Sequence, residues 1–105
     1  MNKLYVLSRK DLGLVYQAVQ SGHALAQWCL EHPKNYWQNQ TLIYLEVKNE
    51  KKLLKWREKL RQKGIEVSEF VEPDVDYKVT AIACFANENL FKKLDLLGTD
   101  MTGLT

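Results

Sequence analysis

The chain is poor in the features that announce most small-domain functions. It has two cysteines, Cys29 and Cys84, each in an apolar segment and without metal-ligand spacing. A disulfide scaffold and a zinc site are therefore excluded, and both thiols are expected to be reduced and buried. No GxGxxG, phosphate-binding P-loop or serine-nucleophile elbow is present, which removes the common nucleotide-binding and serine-hydrolase readings. No apolar run can span a bilayer, because Leu12–Leu30 contains three Gln, one His and one Ser. Leu4-Tyr5-Val6-Leu7 is too short for a secretory signal and meets Arg9-Lys10-Asp11 at once. A cytoplasmic protein without metal or cofactor is expected. No linker, repeat or low-complexity segment divides the 105 residues. An apolar fraction of 46% excludes disorder and suffices for one core. The domain is expected over residues 1–97, with 98–105 as a tail that has little to bury.

The most informative absence is local. Charged residues make up 27% of the chain, yet Leu12–Leu30 has no Lys, Arg, Asp or Glu. A helix in water normally spends its outer face on charge, so this one is expected to be covered by protein, a partner or a ligand. Tyr16, Gln20, His23 and Gln27 recur at steps of four, three and four and form one line along such a helix. Leu14, Val15, Ala18, Val19, Leu25, Ala26 and Cys29 fall mostly elsewhere and are expected to face the core. The polar line, with Gly22 beside His23, is the first candidate site, and Tyr16, Gln20 and His23 are predicted to line a surface concavity. The competing reading is a structural histidine satisfied by a backbone carbonyl.

Charge elsewhere is segregated. Lys48–Lys63 holds eight basic residues against Glu50 and Glu58, whereas Glu66–Asp76 holds five acidic residues and no basic one. The basic helix places Lys51, Lys52, Lys55 and Lys59 mostly away from its Leu/Trp stripe, where they can meet a nucleic-acid backbone or simply water. Trp28, Tyr36 and Trp37 can stack on a base or close a core. Glu72, Asp74 and Asp76 around Pro73 can orient a histidine or act as a general base; they also suit an ordinary solvated turn. A calcium loop would need more oxygen ligands in a fixed pattern.

Periodicity predicts strands at Lys3–Ser8, Thr41–Val47, Glu66–Val71 and Lys78–Phe85. Helices are predicted from Leu14 to about His32, stopped by Pro33, and from an Asn49 cap to Gly64. A short last helix is predicted from Asn87 to Leu94. The order β-α-β-α-β-β-α predicts a single three-layer α/β domain with a four-stranded mixed sheet. If the first and third strands run parallel, the first helix and the acidic turn emerge on one rim, where ligand crevices of such sheets open.

Leu4–Asp11 followed by Ala18-Val19-Gln20-Ser21-Gly22-His23-Ala24 resembles the opening of the type II (archaeal and eukaryotic) peptidyl-tRNA hydrolases. That family reads a first strand, an Arg-x-Asp-Leu turn matched by Arg9-Lys10-Asp11-Leu12, and a helix carrying Ala-Ala-Gln-Cys-Ser-His-Ala-Ala. Val67-Ser68, Glu72 and Val79-Thr80-Ala81-Ile82-Ala83 follow its third strand, catalytic acid and final strand. Phe70-x-Glu72-Pro73-Asp74 resembles short relatives from phage and bacteria. The resemblance runs over most of residues 3–97. It implies hydrolysis of the ester between a peptidyl or aminoacyl group and tRNA, with His23 and Glu72 catalytic. It places Tyr16, Gln20, Asp74 and Thr80 on the substrate, tRNA on the basic lysines, and a homodimer as the assembly. The departures are specific. The family lysine seven residues before the histidine is Tyr16, its catalytic Asp is Glu72, and its following Gly-Arg-Thr-Gln loop is shortened to Pro73–Lys78. These departures keep a second reading open: a catalytically inactive relative that binds RNA, a protein or a small ligand.

Overall fold

A computed structural model describes residues 1–34 and 37–99. Strands β1 (Asn2–Arg9), β2 (Leu42–Val47), β3 (Val67–Glu72), β4 (Lys78–Asn87) and β5 (Asp95–Leu96) form one sheet in the order β3-β4-β1-β2-β5. Helix α1 (Leu14–Glu31) lies on one face and α2 (Glu50–Gln62) on the other. The expected single α/β domain with a mixed sheet is therefore present. The sheet has five strands instead of four, and the element order differs from the expected one at its end.

The difference lies after β4. Asn87 caps as expected, but its side chain accepts from the Asn89 N–H and starts only a 3-10 turn, Glu88–Phe91. The chain then pairs Asp95 and Leu96 antiparallel with Glu46 and Leu45. Both β5 residues are exposed, so no buried stripe marks them in the sequence. The tail expected at 98–105 lies outside the described residues except Gly98 and Thr99; the Gly98 N–H donates to Glu46 Oε1 at 3.2 Å. Tyr36 also lies outside the described residues.

The helix ends follow the residues that make them. Asn49 Oδ1 accepts from the Lys52 N–H at 3.0 Å, satisfying an orphan donor of the first turn. Gly64 takes φ +79° after α2, with the Gly64 N–H on Arg61 O and the Ile65 N–H on Leu60 O, the two bonds of a Schellman stop. At α1, Gly13 (φ +87°) turns the chain into the helix, and Pro33 follows its last turn.

β1 pairs parallel with β2 and antiparallel with β4, and β4 pairs antiparallel with β3. β1 and β3 therefore run the same way, and their C-terminal ends share a rim with the start of β4. On the α2 face, Tyr5, Leu7, Leu45, Val47, Leu53, Leu60, Ile82 and Phe91 form the larger apolar cluster. On the α1 face, Leu4, Val6, Ala24, Trp28, Ala81 and Ala83 form the smaller one. Alternation along β4 puts Ala81 and Ala83 under α1 and Ile82, Cys84 and Ala86 under α2. Burial pushes the Cys84 thiol up to about 12, so it stays protonated.

Candidate active site at the α1, β3 and β4 rim

Helix α1 is turned differently from the sequence expectation. Gln17, Gln20, Ser21, Ala24 and Trp28 are buried against the sheet. Val15 is 81% exposed and Val19 47% exposed. The polar line was expected to face a concavity and the valines the core; Gln20, at 1% exposure, instead lies under the sheet. The reason is the strand surface beneath it. This end of the sheet presents Ser8, Thr80 and Glu72, all buried, and only hydrogen-bonding side chains can cover them without stranding polar groups.

Gln20 serves two of them. Its Oε1 accepts from Thr80 Oγ1 at 2.5 Å, and its Nε2 donates to Glu72 Oε2 at 3.1 Å. Those two partners fix the orientation of the amide. Glu72 Oε1 accepts from the Asp74 N–H at 3.3 Å, where Pro73 opens a 3-10 turn. One turn earlier on α1, Gln17 Nε2 donates to Ser8 Oγ at 3.3 Å. Ser21 Oγ, also buried, lacks a hydrogen-bond partner among the described residues.

A β-bulge places Thr80 in this chain. Phe70 pairs with Ala81 and Val71 with Val79, so Thr80 is the extra residue of β4 and has no partner on β3. The bulge lets Thr80 turn to α1 while Val79 stays in the opposite core. The hairpin beyond it is tight: Asp76 and Tyr77 both take positive φ, 51° and 57°, and the Tyr77 N–H donates to Glu72 O at 3.0 Å. Asp74 and Asp76 are exposed on this turn.

Tyr16 is half-buried at the same rim. Its phenol pKa is raised by partial burial and by the negative charges of Glu72 and Asp74. It is a neutral hydrogen-bond donor at physiological pH. His23 lies one turn beyond Gln20 but on the outer edge, exposed, with its ring stacked on Phe70 at 4.6 Å and 23°. Among the described residues no hydrogen bond joins His23 to Glu72. The structure thus brings Gln20, Glu72, Thr80, Tyr16 and Asp74 to one rim, with His23 and Phe70 beside them.

The Arg9–Asp11 turn has its own use. Arg9 Nε and Nη2 reach both Asp11 oxygens at 3.1 and 2.8 Å, while Nη1 donates to Val79 O at 3.3 Å. This fork ties the end of β1 to the start of β4 and holds the Asp11 carboxyl below its ordinary pKa. Glu50, in the first turn of α2, accepts from the Val79 N–H at 3.2 Å. The rim is therefore braced on the α2 side by ion-paired and charged groups, whereas on the α1 side the Glu72 carboxylate is met by neutral donors, the Gln20 amide and the Asp74 N–H. Among the described residues no group of three or more His, Cys, Asp or Glu side chains is placed to hold a metal.

Sequence reasoning missed the Ser8–Gln17 pair and Phe70 under His23. Gln17 belongs to the charge-free segment and stands three residues before Gln20, which was the available signal. Nothing local marks Phe70, because its contact with α1 spans 47 residues of chain.

The family described as peptidyl-tRNA hydrolase PTH2 matches residues 2–93. The chain belongs to the type II peptidyl-tRNA hydrolase family. No curated protein matches it. Among solved structures, a protein of unknown function from Agrobacterium tumefaciens is similar in fold, with a TM-score of 0.67 at 14% identity over 90% of this chain and 96% of that one. At that identity the likeness speaks for the fold. The family match runs from β1 through the end of the 3-10 turn after β4 and includes every rim residue named above.

Proposed function

We propose that the chain hydrolyses the ester joining a peptidyl or aminoacyl group to tRNA. The observation that carries this reading is the Thr80–Gln20–Glu72 chain of hydrogen bonds, buried but ending at a rim where Tyr16, Asp74 and His23 are accessible. A buried polar chain is costly to keep in a core this small, and an apolar substitute would pack as well. Its retention fits a site better than a scaffold.

In this reading a water molecule attacks the ester carbonyl carbon and gives its proton to His23. The carbonyl oxygen becomes the oxyanion of a tetrahedral intermediate. Collapse breaks the bond to the ribose oxygen, which takes the proton back from His23, and the peptide leaves as its carboxylic acid, which gives the second water proton to solvent and becomes the carboxylate. Tyr16, a neutral donor, takes the place of the family lysine and hydrogen-bonds the oxyanion or substrate carbonyl. Thr80 and Gln20 hold the substrate side of the rim, and Asp74 binds the amino end of the leaving acyl group. Glu72 supplies the rim's carboxylate, held by the Gln20 amide and the Asp74 N–H, and stabilises positive charge that develops during proton transfer. The reaction needs water and no cofactor. Lys51, Lys52, Lys55 and Lys59, all exposed, carry the tRNA phosphates. Among the described residues no helix is long and apolar enough to cross a membrane. A tRNA ester as substrate is what places the proposed activity in the cytoplasm.

A homodimer belongs to the same reading. The outward face of α1, with Val15, Ala18, Val19, Gly22, Ala26 and Leu30, bears no charge and has its small residues near the middle. A two-fold axis at Gly22 would set Val15 of one copy near Leu30 of the other, a self-complementary arrangement. A Cβ at Gly22 would meet nothing within 4 Å in this chain, which leaves space there for a second backbone.

The alternative, an inactive relative that binds RNA, a protein or a small ligand, draws on the His23 ring lying on Phe70 instead of on Glu72. Release of labelled peptide from peptidyl-tRNA by the native chain and by His23→Ala separates the two. Loss of at least 100-fold in rate on substitution supports the enzyme. Equal, background-level release from both supports the binding module.

A further inference from the structure

The exposed face of α2 carries more than a row of lysines. Three hollows run along it, and neighbouring hollows share lining residues. The first, about 190 Å³, is lined by Lys48, Lys52, Trp56, Lys93 and Leu94 together with Asp95 and Glu46. The second, about 220 Å³, is lined by Lys52, Lys55, Trp56 and Lys59. The third, about 420 Å³, includes Lys51, Leu54, Lys55 and Lys59. Lys52 and Trp56 join the first to the second; Lys55 and Lys59 join the second to the third. The run follows a helix of 13 residues, about 20 Å long.

Trp56 is the aromatic wall at the junction. Phe91 backs it at 5.4 Å, and Lys59 Nζ lies 4.7 Å from its ring centre. The ring is held by the core yet open enough to be reached by a flexible cation. Among the described residues Lys48, Lys52, Lys55 and Lys93 make no ion pair with a carboxylate within 4.0 Å. Of the acids nearby, Glu58 pairs with Arg57, Glu46 accepts from the Gly98 N–H and Glu50 from the Val79 N–H, while Asp95 stays in the first hollow among Lys48, Lys52 and Lys93.

We infer that this groove binds a single-stranded stretch of RNA, with a base stacked on Trp56 and flanking phosphates on Lys48, Lys52 and Lys93 at one side and Lys55 and Lys59 at the other. A charged helix alone would take any polyanion. An aromatic ring between two cationic hollows adds a feature that only an unpaired base can use, because bases in an A-form duplex are stacked on each other. Lys59 then moves from the ring to a phosphate. The inference rests on the tRNA reading only for the source of the RNA and adds Trp56, Lys48 and Lys93 to the interface.

The test is fluorescence anisotropy with a labelled single-stranded RNA hexamer, a blunt RNA duplex long enough to stay paired and compared per phosphate, and polyglutamate, all with the full chain. Stacking of one base is worth about 5- to 150-fold in affinity, so the hexamer should bind about tenfold or more tighter than the duplex. Trp56→Leu keeps apolar bulk against Phe91 and should erase that preference. Lys48→Gln with Lys93→Gln, both exposed and outside the core, should lower the log–log salt slope for the hexamer by about 1.4. Equal binding of hexamer and duplex, or polyglutamate binding as tightly as the hexamer, overturns the inference. So does a preference that survives Trp56→Leu in a protein shown by circular dichroism to be folded; if that variant does not fold, the lysine pair decides alone. Hexamer binding without peptidyl-tRNA cleavage would overturn the proposed function and leave this inference standing. Cleavage without hexamer preference would do the reverse.

Discussion

The two faces of the sheet solve the same packing problem in opposite ways. α2 buries Leu53 and Leu60 completely and leaves its lysines in water, the usual arrangement of an amphipathic helix. α1 buries Gln17, Gln20 and Ser21 and leaves Val15, Val19 and Leu30 exposed. Both helices cover the same strands, so strand chemistry decides. β4 offers Ile82 and Cys84 to α2 but Thr80, Ala81 and Ala83 to α1. Small and polar residues at the rim leave α1 little apolar surface to gain there. The lesson is that an uncharged helix can be uncharged for two reasons at once, a polar inner face and an apolar outer one.

The contrast should be sharpest in stability. Leu53→Ala removes a fully buried side chain from the larger cluster and should cost about 2–5 kcal/mol in urea denaturation. Gln20→Leu keeps bulk but strands the Thr80 hydroxyl and a Glu72 oxygen, and should cost about 1–3 kcal/mol. If Gln20→Leu were neutral or stabilising, the inner polar face would be replaceable and the distinction between the two faces would be one of function only. On the outer face, Val19→Lys should change monomer stability by less than about 0.5 kcal/mol while abolishing a dimer in sedimentation velocity. A dimer that persists unchanged would move the interface off α1.

The smallest effect concerns the far end of α1. His32 Nδ1 lies 2.8 Å from Trp28 O and Nε2 2.7 Å from Glu66 Oε2. Both neighbours are acceptors, so only the doubly protonated ring donates to both. Burial alone would lower its pKa, but the Trp28 carbonyl and the Glu66 carboxylate outweigh burial and raise it above 6.5. The sign follows by linkage: the stabilisation is complete below the unfolded pKa and is lost as pH rises through the higher folded value. Stability of the native chain should therefore decline modestly above neutral pH relative to His32→Gln. Parallel pH profiles for the two proteins would remove His32 from the account.

How much of this was legible in the residues depends on the range of the interaction. Asn49, Gly64 and Pro33 act on neighbours in sequence, and the helix ends fell where those residues put them. The shared rim followed from strand direction. Gln20, Glu72 and Thr80 were picked out, but the helix was rotated the wrong way, because counting polar residues along α1 cannot show that the sheet beneath is itself polar. The Thr80 bulge depends on pairing between β3 and β4. β5 has two exposed residues and is held by backbone bonds to β2, so it has no side-chain pattern to read.

In the proposed function the buried chain at the α1 rim serves chemistry on the tRNA ester. Glu72→Gln tests it most directly, because it keeps the shape of the side chain and removes its charge. Single-turnover release of peptide from peptidyl-tRNA at pH 7 is expected to fall about 100-fold or more, while the variant remains folded and binds tRNA as tightly as the native chain. A rate unchanged by the substitution, in a folded protein that still cleaves, would contradict it and make Gln20, Glu72 and Thr80 a structural brace.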